Sequence, residues 1–116
     1  MDSLQPFTID KPWGGFREFS ENEKGTVKIL FVKKGEEFSL QKHEKRDEFW
    51  RVLSGNPIVT VGEEKITAKK GDEFEIQPGV LHRVSAPIDD VEVLELSRGD
   101  FDESDIVRLE DKYGRK

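Results

Sequence analysis

Short runs of β-branched and aromatic residues, separated by turn residues, dominate the chain and predict strands rather than helices. The runs fall at 16–19, 26–33, 38–43, 48–53, 58–61, 65–68, 73–77, 83–86 and 91–97. Between them stand Gly14-Gly15, Gly25, Gly35, Gly55-Asn56-Pro57, Gly62, Gly71-Asp72, Pro78-Gly79 and Pro87, residue types that break strands and set turns. The stretch 59–67 reads as a tight hairpin about Gly62. Nowhere do apolar residues sustain a helical period of about 3.6. The tail at 103–112 is expected as a turn of helix or an irregular arm, and residues 1–10 as a mobile lead-in or an edge strand. No repeat, linker or low-complexity segment interrupts the pattern, which predicts one all-β domain, a sandwich or barrel, over residues 1–116.

Composition adds exclusions. With 38% charged and 34% hydrophobic residues, the chain suits a compact domain with a densely charged surface, a balance also found in heat-tolerant proteins. A net charge of −6 gives no general attraction to nucleic acid or an anionic membrane, so neither is expected as a partner. A small anionic substrate would need a local cluster of Lys and Arg. There is no cysteine, which excludes disulfides and thiolate–metal sites. No apolar run approaches the roughly 18 residues of a membrane span and no signal segment is apparent, so a cytoplasmic location is expected.

The chain has only 2 histidines, His43 and His82, so any transition-metal site must combine them with oxygen donors. In Phe38-Ser39-Leu40-Gln41-Lys42-His43, strand alternation places Ser39, Gln41 and His43 on one face. A short turn at 44–47 can then bring Glu48 to that face on a neighbouring strand.

Gly35, Gln41, His43, Glu48 and Gly55 resemble the first motif of the cupin superfamily, with Gln in place of its first His. Gly71-Asp72, Pro78-Gly79 and His82 resemble the second; Pro78 stands one place late, and Ala86 replaces the usual Asn. The resemblance implies a cupin double-stranded β-helix, or jelly-roll, barrel. It also implies one divalent metal on Gln41, His43, Glu48 and His82, with zinc foremost and manganese, iron, cobalt or nickel compatible.

A closer resemblance spans Lys11 to Arg115. The run from Gln41 to Trp50 is similar to the signature of type II mannose-6-phosphate isomerases, usually found behind a guanylyltransferase domain; Lys11-Pro12-Trp13-Gly14, His82-Arg83 and the stretch from Asp105 to Arg115 agree with it. Glu44, Lys45 and Phe49 stand where that family usually has His. The chemistry this implies is interconversion of mannose 6-phosphate and fructose 6-phosphate, with a proton moved between C1 and C2. The sequence does not single out the base; Glu48, Lys45 and Glu44 are the candidates, and Arg83 is a further catalytic candidate. Arg46, Arg98 and Lys28 are candidates for the phosphate. Arg108 and Arg115 are expected to pack or to make dimer contacts, and Trp13 and Trp50 to be core or rim aromatics. The fold by analogy leads to the expectation of a homodimer paired through edge strands. The main rival is a sugar- or sugar-phosphate-binding module without turnover; an oxygen-using iron cupin and a barrel without a site rank below it.

Overall fold

A computed structural model describes residues 6–99, 102 and 104–114. The strands are β1 (Phe7–Lys11), β2 (Gly14–Glu18), β3 (Gly25–Val32), β4 (Leu40–Lys42), β5 (Asp47–Ser54), β6 (Ile58–Val61), β7 (Glu64–Thr67), β8 (Glu73–Ile76), β9 (His82–Ser85), β10 (Val91–Arg98) and β11 (Val107–Glu110). Every pairing is antiparallel. A 4-stranded sheet runs β3-β10-β5-β8, a 5-stranded sheet runs β11-β4-β9-β6-β7, and β1-β2 forms a separate hairpin. No helix among the described residues is long and apolar enough to cross a membrane.

The core lies between the two larger sheets because alternation turns one face of each inward. Trp50 and Val52 of β5 and Val91 and Val93 of β10 meet Val59 of β6 and Val84 of β9, all essentially inaccessible to solvent. Trp50 is fully buried, and truncating such a residue to Ala typically costs about 3–5 kcal/mol. Between β5 and β6 the chain turns at Gly55, whose φ is 86° and where a Cβ would run into the carbonyl oxygen of Asp90; both facts demand glycine.

Each predicted strand has a counterpart, and the 59–67 hairpin closes through Val61 opposite Glu64. The tail is different from expectation. Instead of helix or irregular arm it forms β11, with Val107 opposite Lys42 and Arg108 opposite Gln41, so it supplies backbone partners to a β4 that would otherwise be an edge. The lead-in is also ordered from Phe7, paired with Gly14–Glu18; residues 1–5 lie outside the described residues. In β3, Thr26, Lys28, Leu30 and Val32 turn inward, leaving Val27, Ile29 and Phe31 on the outer face, exposed by 66%, 46% and 72%.

Candidate metal centre

Three strands deliver the polar residues at one end of the core. Gln41 of β4 lies opposite His82 of β9, and Glu48 of β5 lies opposite Ser97 of β10. His43 follows β4 directly. Side chains at paired positions share a face, so Gln41 and His82 lie side by side on one sheet, and Glu48 meets His82 and His43 from the facing sheet although His82 is distant from the others in sequence. His43, Glu48 and His82 are all buried and offer donor atoms within 4.8 Å of one another, an arrangement that can hold a metal ion.

Hydrogen bonds fix how each donor points. His82 Nδ1 lies 3.0 Å from the Val80 carbonyl and His43 Nδ1 lies 2.6 Å from that of Asp105. A carbonyl only accepts, so both Nδ1 atoms carry the proton and both Nε2 atoms carry the lone pair. Burial holds the His82 pKa below its ordinary value, against the opposing pull of Glu48, which keeps the imidazole neutral. Its Nε2 then faces Glu48 Oε1 at 3.3 Å, and neither atom has a hydrogen-bond donor among the described residues. Two buried lone pairs directed at each other are unfavourable unless a cation stands between them. The donor set therefore fits a divalent ion such as zinc.

The other carboxylate oxygen is engaged. Glu48 Oε2 accepts from Arg46 Nε at 3.2 Å and Ser97 Oγ at 3.3 Å, and lies 3.7 Å from His43 Nε2. Gln41 presents its amide nitrogen 3.4 Å from His43 Nε2, while its Oε1 accepts from Ser39 Oγ at 2.6 Å. Ligation through Oε1 requires the amide to turn over, and the Ser39 hydroxyl can accept from the nitrogen instead.

A cavity of about 210 Å³ opens onto these groups, lined among others by Lys28, Gln41, His43, Glu48, Glu95 and Arg108. Glu95 is 6% exposed, and burial first, then the charge of Glu48, pushes its pKa up to about 7; the indole N–H of Trp50, donating to Oε2 at 3.1 Å, and the ammonium of Lys28 oppose the rise.

Not every predicted residue reaches this cavity. Lys28 and Arg46 line it, but Arg46 is committed to Glu48, to the Asp102 carbonyl at 3.3 Å and to His43 Nε2, to which it donates at 3.2 Å in the metal-free chain. Arg98 follows the inward Ser97 and so turns to the other face, where it pairs with Asp47 at 3.1 Å and Glu23 at 3.5 Å. Arg83 likewise alternates away from His82, donating to the Phe38 carbonyl at 2.9 Å and pairing with Glu37 and Glu110. Lys45 is exposed on the loop before β5. Arg115 lies outside the described residues. Two further residues at the site, Glu95 and Asp105, are not among those the sequence motifs point to. Parity along Val91–Arg98 marks Glu95 as the one carboxylate on a face otherwise made of Val91, Val93 and Ser97. Asp105 accepts from the backbone N–H of Glu44 and of Lys45, both at 3.0 Å, while its carbonyl holds His43.

The fold and this centre define a cupin-type barrel. Residues 3–111 match the model of the family described as mannose-6-phosphate isomerase C-terminal, and the chain belongs to that family. It is 39% identical over 109 residues to the xanthan biosynthesis protein XanB of Xanthomonas campestris pv. campestris, covering 92% of this chain and 23% of that protein. It is 35% identical over 107 residues to mannose-1-phosphate guanylyltransferase 2 of Escherichia coli O157:H7, covering 90% and 22%. The chain thus spans less than a quarter of the length of these relatives. Among solved structures, oxalate decarboxylase from Bacillus subtilis superposes with a TM-score of 0.67 at 24% identity, covering 75% of this chain and 24% of that one. The capsular polysaccharide assembling protein CapF from Staphylococcus aureus gives 0.65 at 21% identity, covering 91% and 34%. At these identities the likeness speaks for the fold alone.

Proposed function

We propose that this chain is a metal-dependent aldose–ketose isomerase interconverting mannose 6-phosphate and fructose 6-phosphate. The observation that carries the reading is the pair of opposed lone pairs on His82 Nε2 and Glu48 Oε1, 3.3 Å apart and buried beside a cavity that Glu48, His43 and Gln41 line, in a chain of this family. Gln41, His43, Glu48 and His82 hold the ion, with zinc the first candidate. When bound, the ion supplies a Lewis acid that polarises the sugar carbonyl and acidifies the neighbouring C–H. The chain must then move one proton between C1 and C2. Glu48 is bound up with Arg46 and Ser97, and Lys45 and Arg83 stand outside the cavity, which leaves Glu95, the other carboxyl lining it, as the group to carry the proton.

The departures from the family signature do not weigh against turnover. Glu44 and Lys45 are exposed, and Phe49 stacks against Phe19 at 5.5 Å on the face away from the cavity. The reading also has the chain working as a homodimer, supported by the apolar outer face of β3.

The test begins with metal content. Purified protein is expected to carry about one ion per chain, and His43→Ala and His82→Ala to carry almost none, as removal of one ligand of three or four abolishes tight binding. Protein loaded with that ion should convert mannose 6-phosphate to fructose 6-phosphate. Protein that stays empty after dialysis against zinc, manganese, cobalt and iron removes the metalloenzyme; loaded protein that binds the sugar phosphate without converting it selects the binding module instead.

A further inference from the structure

We propose that Arg108, assisted by Lys28, is the subsite for the anionic group of the substrate, a phosphate monoester carried at the far end of the sugar from the metal centre. The inference rests on the sugar occupying the cavity described above, but not on its being turned over.

The first ground is a contrast between arginines. Arg17 pairs with Glu73 at 2.7 Å, Arg46 with Glu48 at 3.2 Å, Arg51 with Glu73 at 2.7 Å, Arg83 with Glu37 at 2.9 Å and Arg98 with Asp47 at 3.1 Å. Arg108 has no carboxylate partner among the described residues, and its Nε is buried without a hydrogen-bond acceptor. The chain holds 25 acidic against 19 basic residues, so the guanidinium is not unpaired for want of carboxylates. A buried N–H without an acceptor is unfavourable in the free protein, and a bound oxyanion would satisfy it.

The second ground is position. Arg108 lies opposite Gln41 on β4, and Gln41 lies opposite His82 on β9, so the three form a row across adjacent strands with Arg108 at its outer end. Two strand spacings separate the backbones of Arg108 and His82 by about 10 Å. A hexose 6-phosphate carries its reacting carbons and its phosphate at opposite ends, and needs such a separation between metal and anion sites. Lys28 reaches the same cavity from the other sheet. Together they offer a planar fork for two oxygens and a point charge opposite it, in a protein whose net charge of −6 would otherwise repel the ligand.

The test is calorimetric binding to the full, metal-loaded chain, with mannose 6-phosphate, mannose and inorganic phosphate as titrants. Wild type is expected to bind mannose 6-phosphate well above both fragments. Arg108→Gln should lower that affinity on the order of tenfold to a hundredfold, leaving mannose binding and metal content unchanged. Arg108→Lys should fall between, keeping charge without the fork, and Lys28→Gln should give a smaller loss by an independent route should the β11 variant prove unstable. Equal affinity for sugar and sugar phosphate in wild type, no binding of either, or a sugar-phosphate affinity indifferent to both positions overturns the subsite. Arg108-dependent binding without fructose 6-phosphate formation would keep the subsite and remove the isomerase; turnover with an unchanged KM in Arg108→Gln would do the reverse.

Discussion

Glu95 is a carboxyl placed where a strand interior wants an apolar residue, and the fold responds by keeping it protonated to about pH 7 rather than its ordinary 4.5. The consequence for stability has a definite sign. Below pH 4.5 the group is protonated folded and unfolded alike, and burial brings no charge penalty. As pH rises from 4.5 to about 7 the unfolded chain releases its proton while the folded one retains it, so stability falls through that window. At about 1.4 kcal/mol per pH unit, the loss is roughly 3 kcal/mol. Glu95→Gln keeps the acceptor for the Trp50 indole and cannot ionise. Urea unfolding of metal-free protein at pH 4.5 and pH 8 should therefore show the variant gaining on wild type at the higher pH; a difference independent of pH would remove the titrating role. The same variant, metal-loaded, should lose nearly all isomerisation with little change in sugar-phosphate affinity. His82 was legible from sequence because histidine is scarce here, whereas a single Glu among 25 acidic residues is not. Only the parity of β10 separates it from a solvated charge.

At the scale of elements, the strands could be read because each core strand buries one face and the apolar positions record it. Residues 91–98 alternate buried and half-buried without a break. The tail left no such record: in β11, Val107 and Leu109 are 46% and 42% exposed, and the strand exists through its backbone bonds to β4 rather than through an apolar face. What the tail does for the site was equally hidden, because it depends on contacts between residues some 60 positions apart. Asp105 ties the loop at 44–45 with its carboxylate and orients His43 with its carbonyl. Those backbone donors hold the Asp105 pKa below its ordinary value, so the carboxylate is fully charged at neutral pH. Asp105→Ala should therefore loosen His43 without touching a ligand, weakening metal affinity by about tenfold to a hundredfold, as loss of a residue that orients a ligand typically does. Competition against a chelator measures this, and Asp105→Asn, which keeps one acceptor, should retain part of the affinity. Unchanged affinity in Asp105→Ala would show that β11 and the backbone carbonyl at 105 are sufficient to hold the imidazole.

The molecule as a whole presents more apolar surface than its single core explains. Phe7, Ile9, Trp13 and Phe16 on the β1-β2 hairpin and Val27, Ile29 and Phe31 on β3 remain exposed, Trp13 by 74%. A two-stranded hairpin is marginal by itself, and β3 is an edge of its sheet with one row of backbone groups unpaired in that sheet. The β3 residues form one continuous row on the outer face of an edge strand, the kind of apolar surface a partner covers. In the proposed homodimer a twofold axis along β3 would let each chain cover the other's row with the same residues. Light scattering should then return twice the 13.4 kDa chain mass at micromolar concentration. Val27→Lys with Phe31→Lys, which places like charges across the axis, should return a monomer whose metal content is intact, since both side chains point away from the cavity. A wild-type monomer at those concentrations would remove the dimer and leave the β3 face open to a different partner.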